Sequence, residues 1–388
     1  MPWSETDAMS ERLRFVTALR KRKSTFRSLC AGFGVAPKTG YKWLHQFEAS
    51  GPEGLRDRSR RPKSNSRAIS SGVGDRLLEL RREHPTWGPK KIVAWLEAHE
   101  RSWDLPATST VGELLKRNGL VPPRQKSRRA RPGTHPLLHA DKPNAVWAMD
   151  FKGWFRLGDG SRCDPLTVTD AFSRYLLCCN AGTAVGKVSN AVWAELVRTF
   201  RENGIPDAMR FDNGQPWAAP KGELGITTLA VKILKIGIAI ERIDPGKPYQ
   251  NGRHERFHLT LHQETARPPQ HDMRAQQRRF DAFRREYNEE RPHEALRQRP
   301  PASVHVTSRH AFPDRLAEPE YPHWYEVLTP KGWGSVSFRG SEYFISSALQ
   351  GERVGLVEVE EGCFEIYFCN LLLGRIHTAH PELGLIAA

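Results

Sequence analysis

Apolar side chains recur at helical spacing from residue 9 to residue 49. Leu13, Val16 and Leu19 line one helix, Ser24 is placed to cap a second, and Gly34 makes the turn into a third that Pro37 opens. In that third helix the pattern turns Tyr41, Leu44 and Phe47 inward and Lys38, Thr39, Lys42 and His45 outward. A last helix with basic and hydroxyl side chains outside can reach phosphates and base edges in a major groove. The helical period returns between residues 75 and 121. Leu77, Leu78 and Leu80 mark one helix, Pro89 starts another with Ile92, Val93 and Leu96, and STVGELLKRNGL forms a third ending at Gly119.

After Asn144 the period shortens to two. VWAMDFKGWFRL, RCDPLTVTDA and RYLLCCNAG predict three antiparallel strands, turning at Gly158-Asp159-Gly160 and at DAFSR. There follow a helix over 185–203, a strand at DAMRF, a helix over 221–236, a strand at GIAIERI, a helix capped by Asn251 and running to Thr265, and a long helix from Asp272 to Asn288. Strands followed by alternating helix and strand predict an α/β layer with helices on a mixed sheet. In residues 301–388, SVSFRGSEYFI, RVGLVEVEEG and CFEIYFCNLLLGRI alternate between Gly and Asn turns, as a small β-barrel would. The expected class is multidomain. All-α modules over 1–55 and 75–121, joined by a basic arm over 56–74, lead through a basic linker over 122–143 to an α/β core over 144–300 and an all-β domain over 301–388.

Charge sharpens this division. Of the net +15 carried by 388 residues, all lies in residues 1–140, which hold 28 Lys and Arg against 13 Asp and Glu; the remainder is balanced at 31 each. A polyanion is the expected partner of the front third. Lys38, Thr39, Lys42, Arg58, Arg60, Arg61, Lys63, Lys116, Arg117, Arg128 and Arg129 are its candidate contacts to double-stranded DNA. The last segment has 6 basic and 11 acidic residues, which fits assembly better than phosphate binding. No apolar run approaches the length of a membrane span and no secretory leader is visible, so no membrane partner is expected. The six cysteines lack metal-site or disulfide spacing and read as thiols of a reducing compartment.

Three carboxylates stand out. Asp150 interrupts an apolar strand, Asp212 closes the strand MRFDNG before a turn, and Glu255 lies in the first turn of the helix after PGKPYQNG. Each alone reads blandly, as an acid paired with Arg, an Asx turn and a helix-dipole Glu. Together they have the order strand, strand end, helix start. Converging carboxylates repel unless a divalent cation neutralises them, and an all-oxygen set suits Mg²⁺ or Mn²⁺. His254, Glu255 and His258 also spell H-E-x-x-H, the helical zinc pattern. Arg256 beside it and the missing downstream Gly speak against zinc. Asp170 reads as a turn cap, with Arg174 as its partner.

WAMDFKGWF, VTDAFSRY, RFDNGQPW and PGKPYQNGRHERFH together resemble the catalytic core of insertion-sequence transposases of the retroviral integrase type. GLRDRSRRP behind the first helical module and YNEERPHEAL are similar to that family too, so the likeness spans about residues 10 to 300. It implies an RNase H-like core holding an Asp-Asp-Glu triad of Asp150, Asp212 and Glu255 as catalytic metal ligands, with Asn213, Gly214, Asn251 and Gly252 shaping the site. It implies Mg²⁺-dependent nicking and strand transfer on element ends and target DNA, self-association to at least a dimer on DNA, and a bacterial cytoplasmic, nucleoid-associated setting. The 42 residues between Asp212 and Glu255 exceed the spacing of many family members, with the surplus around AAPKGELGITTLAV.

Overall fold

A computed structural model describes residues 7–57, 69–121, 140–182, 189–211, 226–243 and 252–387. Two compact units divide at Ala68 and Ile69. In the first, α1 (Ala8–Arg20), α2 (Phe26–Gly32) and α3 (Pro37–Ser50) enclose Phe15, Val16, Cys30, Trp43 and Leu55. Pro37 opens α3 as expected, but the buried face differs from the predicted one: Trp43 and Gly40 turn inward, while Tyr41 is 49% exposed and stacks on Phe26. Gly40 is small because α2 crosses there; a Cβ on it would come within 2.8 Å of Cys30 Sγ. Leu13 is likewise exposed, and Thr25 rather than Ser24 caps α2, accepting from Ser28 N–H. An indole larger than either Tyr or Leu fills the centre, and the helix rotates to bury it.

The second unit begins with α4 (Ser71–Glu83), α5 (Pro89–His99) and α6 (Thr108–Arg117), packed through Leu77, Leu80, Trp87, Ile92, Leu96, Val111 and Leu115. Its core sheet is built from β1 (Val146–Phe151), β4 (Leu166–Asp170), β5 (Leu176–Asn180), β6 (Ala208–Phe211) and β7 (Ala239–Arg242), with β2 (Phe155–Arg156) and β3 (Arg162–Cys163) as a side hairpin. The strand order is β5-β4-β1-β6-β7. The β5-β4-β1 part is antiparallel, and β6 and β7 run parallel to β1, which is the mixed arrangement of an RNase H-like layer.

Helices cover both faces. On one, Trp147, Met149 and Val168 meet α7 (Ser189–Asn203) through Val192, Leu196 and Phe200, and α8 (Thr228–Lys235) through Leu229 and Ile233. On the other, Leu176 and Cys179 meet α9 (Gly252–Thr265) and α10 (Met273–Glu289) through Phe257, Leu261, Phe280 and Phe283. Asp272 caps α10. Among the described residues no helix is long and apolar enough to cross a membrane.

The C-terminal strands are β8 (Glu326–Leu328), β9 (Ser335–Phe338), β10 (Ser341–Phe344), β11 (Val354–Glu360), β12 (Cys363–Phe368), β13 (Leu371–His377) and β14 (Ile386–Ala387). They form an antiparallel sheet of order β14-β13-β12-β11-β8 and a separate β9-β10 hairpin. Among the described residues the ladder does not close into the expected barrel. Its apolar face is covered instead by the hairpin and by α8, whose Ala230, Val231 and Leu234 join Leu356, Phe364, Ile366 and Phe368 in one cluster.

Candidate active site on the core sheet

Residues alternate across a strand, so Ala148 and Asp150 share the face of β1 opposite Trp147 and Met149, the face that α9 covers. Asp150 pairs in register with Thr167 of β4 and keeps 22% of its side chain exposed. The neighbouring strand β6 runs parallel to β1 and ends at Phe211. Asp212 comes next, but Asp212, Asn213, Gly214 and Asn251 lie outside the described residues.

The helix α9 is fastened to the sheet by the two histidines of its H-E-x-x-H run. His254 Nε2 and His258 Nε2 each lie 2.8 Å from Thr167 Oγ1, and His254 Nδ1 lies 3.1 Å from Thr169 Oγ1. Thr167 Oγ1 is also 3.0 Å from the Asp150 carbonyl oxygen. One proton assignment satisfies every contact: Thr169 donates to His254 Nδ1, both Nε2–H groups donate to Thr167, and Thr167 donates to the Asp150 carbonyl. Both rings are buried, and loss of hydration holds their pKa values down to about 3 for His254 and about 2 for His258. They are neutral side chains committed to strand hydroxyls. The zinc reading fails on this geometry, because Glu255 lies on the exposed side of α9 while both imidazoles face the sheet.

The same anchoring brings the acids of β1 and α9 toward one another. His258 Nδ1 is 3.9 Å from Asp150 Oδ2, and Glu255 stands three residues before His258, a spacing that puts both on adjoining parts of one helix surface. Gly252 is the first residue of α9. Carboxylate oxygens on a partly exposed strand and an exposed helix turn suit a hard divalent cation better than zinc or another soft metal. Among the described residues no three His, Cys, Asp or Glu side chains form a metal cluster, and the three-acid set includes Asp212, which is not among them.

Asp170 does cap a turn. It is fully buried and accepts from Ser173 N–H at 3.0 Å and from Ser173 Oγ. Arg174 is not its side-chain partner; that guanidinium donates to Ala171 O at 2.7 Å. Of the candidate DNA contacts, Lys38, Lys42, Lys116 and Arg117 are exposed and Thr39 is half-buried, while Arg58, Arg60, Arg61, Lys63, Arg128 and Arg129 lie outside the described residues. The sequence reading missed Thr167 and Thr169, whose hydroxyls receive the histidines. The signal available was the i, i+4 spacing of those histidines beside an apolar Phe257.

An integrase core domain model matches residues 140–248, and a second of the same description matches residues 236–301. A helix-turn-helix domain matches residues 11–63 and a homeodomain-like domain residues 39–115. The chain is 30% identical over 232 residues to the insertion element IS407 uncharacterized 31.7 kDa protein of Burkholderia multivorans, covering 57% of this chain and 76% of that one. It is 28% identical over 249 residues to the insertion element IS476 uncharacterized 39.2 kDa protein of Xanthomonas euvesicatoria, covering 64% and 67%. Among solved structures, a simian T-cell lymphotropic virus intasome in complex with PP2A regulatory subunit B56 gamma aligns over 76% of this chain and 97% of that one, at 14% identity and TM-score 0.35. The HTLV-2 integrase catalytic core domain in complex with magnesium, in its trimeric form, aligns over 43% and 100%, at 11% identity and TM-score 0.31. The molecule is thus of the integrase-core class with helix-turn-helix modules in front. The chain belongs to the insertion-sequence transposase family.

Proposed function

We propose that this protein is a DNA transposase that binds the ends of its element and carries out Mg²⁺-dependent nicking and strand transfer with Asp150, Asp212 and Glu255 as the catalytic acids. The observation that carries the reading is the fastening of α9 to β4 and β1 by His254 and His258, which brings the turn bearing Glu255 to the strand bearing Asp150. Mg²⁺ or Mn²⁺ bound there would polarise the scissile phosphodiester and lower the pKa of the attacking hydroxyl. The chain's own part is to hold the acids rigidly. Thr167 ties the backbone of Asp150 to both imidazoles, and those rings stay neutral, so no cation is added next to the acids. Asn213, Gly214, Asn251 and Gly252 would shape the adjoining turns.

The division of labour follows the charge. Residues 1–55, the arm over 56–74 and the module over 75–121 would grip element ends, residues 144–300 would act on them, and residues 301–388 would support assembly of at least a dimer on DNA. A cytoplasmic, nucleoid-associated setting goes with these partners. The test is incubation of the full chain with the DNA flanking its own gene and Mg²⁺, scoring end-specific nicks. Asp212→Asn and Glu255→Gln should bind this DNA and fail to nick it; nicking at wild-type rate by either variant refutes the triad.

A further inference from the structure

We infer that a cavity between α5, α9 and the segment after α10 is a binding site for a phosphate group of the DNA backbone. This rests on the transposase reading and names a site that it does not contain. The cavity has a volume of about 540 Å³ and is lined by Lys91, Arg174, Arg253, Arg256 and Arg291 against one carboxylate, Glu294. That carboxylate is already engaged with Lys90 at 2.9 Å. Arg291 is neutralised by Glu264, which also accepts from Thr86. Lys91, Arg174, Arg253 and Arg256 form no ion pair with a carboxylate among the described residues.

Four cations sharing a concave space without counter-charge raise each other's free energy, and a bound phosphate would reverse that. Two further observations point the same way. Burial, followed by the charge of Arg291, pushes the Lys91 ammonium down to about 8, although its Nζ still donates to Pro292 O. Arg174 holds a left-handed backbone at φ 65°, a conformation that costs a non-glycine residue about 1 kcal/mol or more and tends to persist where function fixes it.

Position gives the cavity its meaning. Lys91 belongs to the second helical module, while Arg253 and Arg256 flank Glu255 on α9. The module is fixed beside the core by His84–Glu286 at 2.9 Å and by the Thr86–Glu264–Arg291 cluster. A DNA strand held by the module would therefore place a phosphate against the helix that carries the acid.

The test uses the full chain, a fluorescent duplex of about 30 base pairs and EDTA, with affinity measured from about 50 to 200 mM salt. Arg253→Gln/Arg256→Gln changes two exposed side chains and should keep the fold, as thermal melts would verify. Its plot of log affinity against log salt should be shallower than wild type by about 2, near 1 per lost phosphate contact. Arg339→Gln/Arg375→Gln in the C-terminal region should leave the slope as it is. An unchanged slope in the α9 variant overturns the assignment. If inorganic phosphate at constant ionic strength raises the wild-type melting temperature but not the variant's, and the slopes agree, the cavity takes free phosphate and the DNA assignment is overturned as well. Because the slope is read without metal, it stands or falls independently of nicking by the triad variants.

Discussion

The two five-stranded sheets of this protein solve different problems with similar numbers of residues. In the core sheet β1, β4, β5 and β6 are buried almost throughout, because helices close both faces. The C-terminal sheet alternates: β12 reads buried and half-buried by turns, and β11 is exposed over its last three residues. A strand buried on both sides tolerates a carboxylate only near its end, where solvent or a cation can reach it, and Asp150 sits there. A sheet with an open face carries acids anywhere on that face, so Glu358, Glu360 and Glu365 indicate no site by their presence. The difference teaches that an acid is informative in proportion to what its position costs.

The largest expected effect tests that contrast directly. Asp150→Asn should lower end nicking on the order of 10³-fold or more, while Glu365→Gln on β12 should leave it within about twofold; gel assays of nicked DNA read both. Equal losses would remove the distinction between the sheets. Stability should not distinguish them in the same way. Phe200→Ala under the core sheet is expected to cost about 3–5 kcal/mol and Ile366→Ala in the C-terminal sheet about 2–5, both side chains being fully buried. Denaturant melts would show it. The melts should also reveal whether α8, which packs on both clusters, makes the two regions unfold together.

A third comparison uses pH. His254 and His258 have folded pKa values depressed to about 3 and about 2, below the unfolded value of about 6.5, so the unfolded chain binds protons that the native sheet excludes. Stability is therefore complete above about pH 6.5 and falls below it, by about 1.4 kcal/mol per pH unit for each ring. Melts in EDTA between about pH 7 and 5 should show this loss, and replacing both histidines by Gln should flatten it. The smallest effects set side chain against side chain. Thr167→Val strips both rings of a partner and should cost about 1–3 kcal/mol, whereas Arg375→Ala, which breaks a pair with Glu365 on the open face, should cost under about 1 kcal/mol.

Much of this was legible in the chain. The helices from Pro37 and from Pro89, the antiparallel strands through Asp150 and the long helix after Asp272 all follow from apolar spacing and caps. The inward face of α3 was not. Leu44, Phe47 and Tyr41 satisfy the helical period as well as Gly40 and Trp43 do, and only the close crossing at Cys30 chooses between them. The barrel expected of residues 301–388 was misjudged for a related reason: alternation specifies strands with one apolar face, and α8 with the β9-β10 hairpin covers that face from outside the sheet.

For the candidate site, local sequence determined which residues could act: an acid out of place in an apolar strand, an acid closing the next strand, and an acid opening a helix. It also offered H-E-x-x-H, whose spacing puts two imidazoles on one side of a helix without saying what lies opposite. Tertiary structure decided that question. Thr167 and Thr169, some 87 residues away from His254 in the first case, receive the rings, because β4 pairs with β1 and α9 packs across both. The same packing brings Lys91 from another module against Arg253 and Arg256. Periodicity is a property of neighbours in the chain, so a sequence displays it openly; the chemistry of a buried ring or a shared cavity depends on groups far apart in the chain, and folding alone brings them together.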